Sequence, residues 1–162
     1  MDTQLETQLG KLYQQIGETI VDMIPEEWEK VYLYGEVGEA YCHAYFFYYP
    51  ENNKSPVYFL DIPKKFVIHE NEFDNLRSQL FDYLVEMRET FKEHDQEPWT
   101  NLTLFLDSSG KLKIHFDYED LSDANPLHRQ IIWEYKHLGL IPEEQEYRDL
   151  LEEYLKKEKE EK

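Results

Sequence analysis

The chain has 162 residues, of which 41% are hydrophobic, and it carries a formal charge of −18 at pH 7. This length and apolar content suit one domain with a real core, while the acidic balance excludes direct binding to nucleic acid or to an anionic membrane. The single cysteine, Cys42, excludes an intramolecular disulfide, and without a signal-peptide pattern or a membrane-spanning apolar run we expect a cytoplasmic protein.

The first half of the sequence predicts one helix and three strands. Apolar residues recur at steps of three and four over residues 3–24, which predicts an amphipathic helix that ends before Pro25. Aromatic and β-branched runs follow at residues 31–34, 40–49 and 56–60. The glycines and the PENNKSP segment between these runs predict a three-stranded meander. Both faces of the second run are apolar, so we expect that strand to be central in the sheet.

A helix and a hairpin are predicted next. The helical period returns over residues 70–94, and we expect Pro98 to stop that helix. Apolar residues alternate along 101–106 and again along 111–118. The turn between these runs reads Asp-Ser-Ser-Gly, which favours a tight connection, so this is the clearest hairpin in the chain.

Two helices are predicted at the end of the chain. The first runs from about residue 127 to 137 and ends at Gly139, which suits a left-handed cap. Pro142 suits the first residue of the last helix, which we expect to continue to about residue 157. Residues 157–162 are expected to be frayed.

These elements predict an α+β fold in the order α-β-β-β-α-β-β-α-α. Because hairpin connections dominate, we expect a mainly antiparallel five-stranded sheet, built from a β-meander plus a β-hairpin and covered by helices on one face or at its ends. We find no internal repeat, so residues 1–162 are expected to form a single domain.

No pattern in the sequence indicates catalysis or metal binding. His94, Asp95 and Glu97 gather three possible ligands at a helix end, but a solvated C-terminal turn explains them better. Cys42 is expected inside a strand, where a thiol behaves as a small hydrophobe, and its neighbour His43 points to the opposite face. We therefore expect no enzyme activity, no metal and no cofactor.

Acidic residues crowd beside aromatic ones in two places, before Trp99 and around Tyr118. Two interpretations remain open, namely ordinary solvated surfaces or an acidic binding surface with aromatic anchors that steers and holds a basic partner. Asp117 is the best single candidate for contact, because it is expected to be exposed on the strand face opposite Phe116 and Tyr118. The candidate partner-binding residues are Glu97, Trp99, Asp117, Tyr118, Glu119, Asp120 and Asp123.

Three stretches of the chain stand out as a set. They are MIPEEWEKVY at residues 23–32, EPWTNLTLFLDSSGKLKIHFDYEDL at 97–121 and RQIIWEYKHLGLIPE at 129–143. In content, order and separation they resemble the YezG-type immunity proteins, a family that includes EsaG-like antitoxins. The tryptophans of these stretches are also interpretable as core packing rather than partner contacts.

The resemblance implies a cytoplasmic protein that protects its producer by binding a toxin. In this family the toxin is typically the nuclease end of a large polymorphic protein, which is commonly exported by the type VII route of Gram-positive bacteria and in some cases carries an LXG segment. The chain departs from the family in the loop between the first two strands and in PENNKSP, which leaves the cognate toxin open.

Three functional hypotheses follow. The first is an immunity protein that binds a basic toxin domain, without direct contact to nucleic acid or membrane. The second is a general acidic adaptor or nucleic-acid mimic without a dedicated toxin, whose non-specific binding is largely screened at about 0.15 M salt. The third and least favoured is a small hydrolase that uses His94, Asp95 and Glu97.

Overall fold

The computed structural model describes residues 3–53 and 55–161 and shows the predicted α+β fold. Contacts divide the chain into two compact units, Met1–Glu119 and Asp120–Lys162. Among the described residues, the first unit holds a five-stranded sheet with helices, and the second holds two helices. The expectation of one domain over residues 1–162 stays a prediction.

Two long helices of the first unit confirm the periodic patterns. Helix α1 spans Thr3–Met23 and helix α3 spans Glu70–Glu93. A 3-10 turn (Phe59–Asp61) and a four-residue helix, α2 (Ile62–Lys65), precede α3 and were not expected from the sequence. Each long helix buries its apolar stripe. The buried residues include Leu5, Leu9, Leu12, Ile16 and Ile20 on α1, and Phe73, Leu80, Leu84, Met87 and Phe91 on α3.

The five strands form one antiparallel sheet in the order β3-β2-β1-β4-β5. Strand β2 is buried on both faces and lies between β1 and β3, so it is interior as predicted, but β1 holds the middle position. The reason is that the hairpin pairs with the free side of β1, a long-range choice that strand periodicity does not reveal. The strands are β1 (Trp28–Val37), β2 (Cys42–Pro50), β3 (Val57–Tyr58), β4 (Asn101–Asp107) and β5 (Leu112–Asp117).

Helices α1 and α3 pack on the same face of the sheet. Gly35 of β1 lets α3 come close, because a Cβ atom at this position would lie 3.3 Å from Leu84 Cδ1. Gly17 of α1 faces β4, where a Cβ atom would lie in ordinary contact with Leu106 Cδ2 at 3.9 Å. One core layer of the first unit therefore lies between these two helices and the sheet, while Tyr34, Tyr45 and Phe47 are buried on the opposite face.

Helix α3 ends within one residue of its predicted end, but Pro98 is not what stops it. The helix ends at Glu93, and Asp95 takes a left-handed conformation with φ of 57°. The Gln96 N–H then donates to the Phe91 carbonyl at 2.9 Å, and the Asp95 N–H donates to the Lys92 carbonyl at 3.1 Å. This is a Schellman cap, which satisfies carbonyls that the helix leaves open.

The second unit consists of α4 (Pro126–Leu138) and α5 (Gln145–Glu160). The Asn125 side chain caps the start of α4 by accepting hydrogen bonds from two backbone N–H groups. Gly139 ends α4 with φ of 68°, which confirms the predicted left-handed cap. The two helices contact each other through Lys136, whose ammonium lies 5.0 Å from the Tyr154 ring centroid.

Both predicted ends of α5 are wrong. The helix begins at Gln145 rather than Pro142, because the Arg148 guanidinium donates to the carbonyls of Pro142 and Glu143 and keeps them in the connecting segment. It continues to Glu160 instead of fraying from residue 157, whereas Lys162 lies outside the described residues. A Glu153–Lys157 pair at 3.6 Å and basic residues near the negative end of the helix favour this extension.

Two glycines should respond oppositely to the same substitution. Gly139→Ala is expected to destabilise the protein by about 1–2 kcal/mol, because an L side chain is strained at positive φ. Gly10→Ala should instead stabilise it by about 0.5–1 kcal/mol, since Gly10 lies inside α1 and a Cβ atom there meets nothing within 4 Å. Urea denaturation measures the free energy of unfolding of both variants. A change in the same direction for Gly139→Ala and Gly10→Ala would contradict the argument from backbone conformation.

Candidate functional site

Three strands bring polar side chains together at one end of the sheet. Glu36 near the end of β1 pairs with Asn101 at the start of β4, and Asn101 pairs with Asp117 at the end of β5. Directly paired residues of neighbouring strands project to the same face, so these three side chains form a row across the sheet. We call the group Glu36, Tyr41, Glu97, Asp117, Tyr118 and Glu119 the acidic end of the sheet.

Glu36 is the most buried carboxylate of this group, with 8% of the residue exposed. The Tyr34 hydroxyl donates to Oε1 at 2.6 Å, and the Tyr41 hydroxyl donates to Oε2 at 2.9 Å. Burying a carboxylate is costly unless hydrogen bonds compensate it, and these two phenols do so. The hydrogen bond to Glu36 also holds Tyr41 in place, although Tyr41 is 50% exposed.

Asp117 differs from its sequence-based prediction, because it is half-buried rather than exposed. Its Oδ2 accepts a hydrogen bond from Asn101 Nδ2 at 3.1 Å, and its carbonyl accepts one from the Thr100 hydroxyl at 3.2 Å. The pairing with buried Asn101 in the adjacent strand is what draws the carboxylate inward. Asp117 therefore orders this end of the sheet as well as contributing charge.

Glu97, Tyr118 and Glu119 are exposed, as a partner surface requires. Partial burial, and then the charge of the Glu97 carboxylate, raise the pKa of the Tyr118 hydroxyl. Tyr118 is 43% exposed and Tyr41 is 50% exposed. Two tyrosines with accessible rings thus accompany the carboxylates, a combination suited to contact with a basic protein surface.

Trp99 takes a different place from the other candidate residues. Its side chain is completely buried, and its ring packs on Phe116 with centroids 5.8 Å apart. A side chain without exposed surface cannot touch a partner in this conformation. The structure thus corrects the expectation of direct contact by Trp99 and supports the interpretation of this residue as core packing.

Asp120 and Asp123 belong to the second unit and are both exposed. The Asp120 carboxylate accepts a hydrogen bond from the Ser122 N–H at 3.0 Å. Hydrogen bonds from Ser122 lower the pKa of Asp120, so this carboxylate keeps its charge to lower pH than usual. Both residues remain candidates for partner contact.

Sequence reasoning missed Glu36 and Tyr41. The available signal was Glu36 itself, which is the one acid in the segment from Leu33 to Val37, where every residue is buried. A charged residue in such a strand needs hydrogen-bond partners, and the nearby tyrosines were candidates for that role. Which tyrosine reaches the carboxylate depends on the turn geometry after Val37, and the sequence does not specify it.

The structure offers no support for the hydrolase hypothesis. His94 caps the end of α3, and its Nε2 lies 2.8 Å from Gln8 Oε1. Within residues 3–53 and 55–161, no three His, Cys, Asp or Glu side chains gather in a way that would hold a metal ion. The proposed trio of His94, Asp95 and Glu97 is therefore not assembled as a metal site.

Cys42 should be a slow nucleophile. Burial first, and then the charges of Asp82 and Glu36, raise the pKa of its thiol to about 11. Since the thiolate is the reactive form, we expect Ellman's reagent at about pH 8 to react roughly 100-fold more slowly with the folded protein than with the denatured chain. Equal rates in the two states would contradict the burial of this thiol.

No helix in the described part of the chain is long and apolar enough to cross a membrane.

Comparison with known proteins gives a consistent result. A family model described as "Immunity protein YezG-like" matches residues 9–152. The chain is 40% identical over 158 residues to "Immunity protein YezG" of Bacillus spizizenii, covering 96% of both chains. It is 38% identical over 147 residues to "Immunity protein YezG" of Bacillus subtilis, covering 89% of this chain and 97% of the relative.

A relative from another genus matches as well. The chain is 36% identical over 140 residues to "Type VII secretion system protein EsaG" of Staphylococcus aureus, covering 85% of this chain and 86% of the relative. The family model covers the whole sheet, α4 and the first half of α5. The chain therefore belongs to the YezG-like family of immunity proteins.

Proposed function

We propose that this chain neutralises one cognate toxin by binding it stoichiometrically, and that the bound toxin domain is a basic nuclease. The observation that carries the proposal is the acidic end of the sheet, where carboxylates and accessible tyrosines stand together. In this proposal the immunity protein binds the toxin in the cytoplasm of the producing cell, before the toxin is exported.

Family membership supplies the general part of this function. The chain is an immunity protein, and such proteins act by binding and not by catalysis. The similarity to EsaG, whose name assigns it to a type VII secretion system, supports the further proposal that the toxin is exported by that route. An LXG segment in the toxin is part of the same proposal.

Electrostatics supports a nuclease as the target. A nuclease holds a polyanion, so its cleft presents lysine and arginine side chains. A chain with a formal charge of −18 attracts such a cleft over a distance and accelerates the encounter. Exposed carboxylates then act mainly on the association rate, whereas the tyrosine rings supply contact area.

The geometry favours a dedicated partner over a general acidic adaptor. The hydrogen bond from Asn101 fixes the half-buried Asp117 carboxylate, and the hydrogen bond to Glu36 fixes the accessible Tyr41 side chain, so the positions of both groups are set before binding. Preorganised groups bind a matching surface with less loss of side-chain freedom, which favours specificity for one partner. A general adaptor needs no such fixed arrangement.

Co-expression with the toxin gene beside this one tests the function. We expect cells to survive the toxin only when this chain is present, and the purified pair to form a one-to-one complex at about 0.15 M salt. A basic protein without nuclease activity, such as lysozyme, should not bind this chain at that salt concentration. Failure to rescue cells from any neighbouring toxin would overturn the proposal, and equal retention of unrelated basic proteins would favour the adaptor.

A further inference from the structure

A groove of about 800 Å³ lies in the first unit between α1 and the β4–β5 hairpin, on the helix-covered face of the sheet. Tyr13, Gly17 and Val21 of α1 line one side, and Leu106 and Leu112 of the hairpin line the other. Trp28 also lines the groove and is half-buried. None of these residues belongs to the acidic end of the sheet.

The groove follows from the packing of α1. At Gly17 this helix lies against Leu106 of β4, and the register pairs Leu106 with Leu112 of the edge strand. Both leucines therefore project to the face that α1 partly covers. Leu106 is buried beneath the helix, whereas Leu112 is only half-buried, because the helix does not extend across the start of β5.

The groove exposes apolar side chains to solvent. Val21 is 41% exposed, although it lies on a helix whose other large aliphatic residues are buried, and Trp28 remains partly accessible. A contiguous set of exposed apolar groups enclosed by polar residues is typical of a protein-binding groove. Covering Val21, Trp28 and Leu112 would remove this surface from water.

The rim of the groove is acidic. Glu18 and Asp22 border it on α1, and Asp107 borders it at the hairpin. Asp107 is held in place because its Oδ1 accepts hydrogen bonds from the Ser109 and Lys111 N–H groups at 3.0 Å. Among the described residues that line the groove there is neither lysine nor arginine.

We propose that this groove binds an amphipathic, basic helix of the toxin, whose apolar side packs on Trp28, Val21 and Leu112 and whose lysine or arginine side chains meet Glu18, Asp22 and Asp107. This inference rests on the proposed function and names a second contact surface for the same partner. A helix fits because the floor is the side-chain face of paired strands rather than an open strand edge. A second copy of this chain does not fit, because both copies carry a formal charge of −18.

Trp28 reports directly on the groove. Trp99 and Trp133 are buried, so quenching of tryptophan fluorescence by acrylamide comes mainly from Trp28. The probe is an amphipathic helix of about 18 leucine and lysine residues, which is long enough for about five turns. We expect this peptide to bind and to protect Trp28 from acrylamide, whereas a leucine–glutamate peptide of the same pattern should not bind.

Val21→Lys tests the site, and Val85→Lys is its matched control. Both valines are exposed on helices, at 41% and 37%, but Val85 lies on α3 and does not line the groove. Val21→Lys should weaken binding of the leucine–lysine peptide at least about tenfold, because it places a like charge against the ligand, while Val85→Lys should leave it unchanged. Equal binding by the two variants, or unchanged quenching of Trp28, would overturn the proposal.

The toxin domain distinguishes failure of this inference from failure of the proposed function. We expect Val21→Lys to weaken the toxin complex and Val85→Lys to leave it intact. If both variants bind the toxin as wild type does, the groove is not the contact surface, although the immunity function stands. If no toxin binds but the peptide occupies the groove, the basic-helix site stands and the proposed toxin is wrong.

A dimer in sedimentation equilibrium that Val21→Lys dissociates would instead assign the groove to a second copy and overturn the inference.

Discussion

Replacing Trp99 by alanine is expected to lower the free energy of unfolding by about 3–5 kcal/mol. The indole is completely buried and packs on Phe116, which itself contacts Phe91 of α3 at a centroid distance of 5.0 Å. Removing it leaves a large cavity where β5 meets α3, and this part of the core has little freedom to collapse. Urea denaturation followed by far-ultraviolet circular dichroism measures the loss.

Tyr118→Ala is the control for this prediction. Tyr118 is an aromatic residue of the same candidate set as Trp99 but is 43% exposed, so we expect its loss to change stability by less than about 1 kcal/mol. Its effect should appear in toxin binding instead. A stable Trp99→Ala variant with impaired toxin binding would show that Trp99 reaches the partner after all and would contradict its assignment to the core.

Neutralising four exposed carboxylates among the candidate contacts should slow toxin association about 10–100-fold at low salt. The variant combines Glu97→Gln, Glu119→Gln, Asp120→Asn and Asp123→Asn. All four residues are exposed, and amide replacements keep the side-chain size. Because the lost interaction is electrostatic, the difference from wild type should shrink as the ionic strength rises. Stopped-flow measurement of the association rate over a salt series tests both statements.

A matched variant controls for net charge. Asp74→Asn, Glu86→Gln, Glu152→Gln and Glu160→Gln remove the same number of exposed carboxylates from other surfaces of α3 and α5. If position matters, this variant should associate nearly as fast as wild type. Equal slowing by the two variants would mean that overall charge alone attracts the toxin and that none of the four candidate carboxylates makes a specific contact.

The elements with strong periodicity were predictable from the sequence. Helix α1, helix α3 and the β4–β5 hairpin appear close to their predicted positions, because their apolar residues repeat at the helical or strand period and Gly110 closes the turn at φ of 92°. Their ends were less predictable. The end of α3 depends on a left-handed Asp95, and the start of α5 depends on where the Arg148 guanidinium reaches.

The candidate site was predictable only in part. Glu97, Tyr118 and Glu119 are exposed where acidic and aromatic residues crowd in the sequence. Trp99 has the same sequence neighbours and is buried, because residues next to each other in a chain can lie on opposite sides of a packed layer. Glu36 lies far from the other residues in sequence, and only the register of β1 with β4 brings it into their row.

The sequence by itself determined the acidic charge, the fold class and the family, because composition, apolar periodicity and the three matching stretches are local properties. Tertiary structure alone decided that β1 holds the middle of the sheet, that Asp117 turns inward to Asn101, and that a groove remains beside α1. Each of these depends on strand register and on how closely a helix approaches a strand, which are long-range choices made by packing.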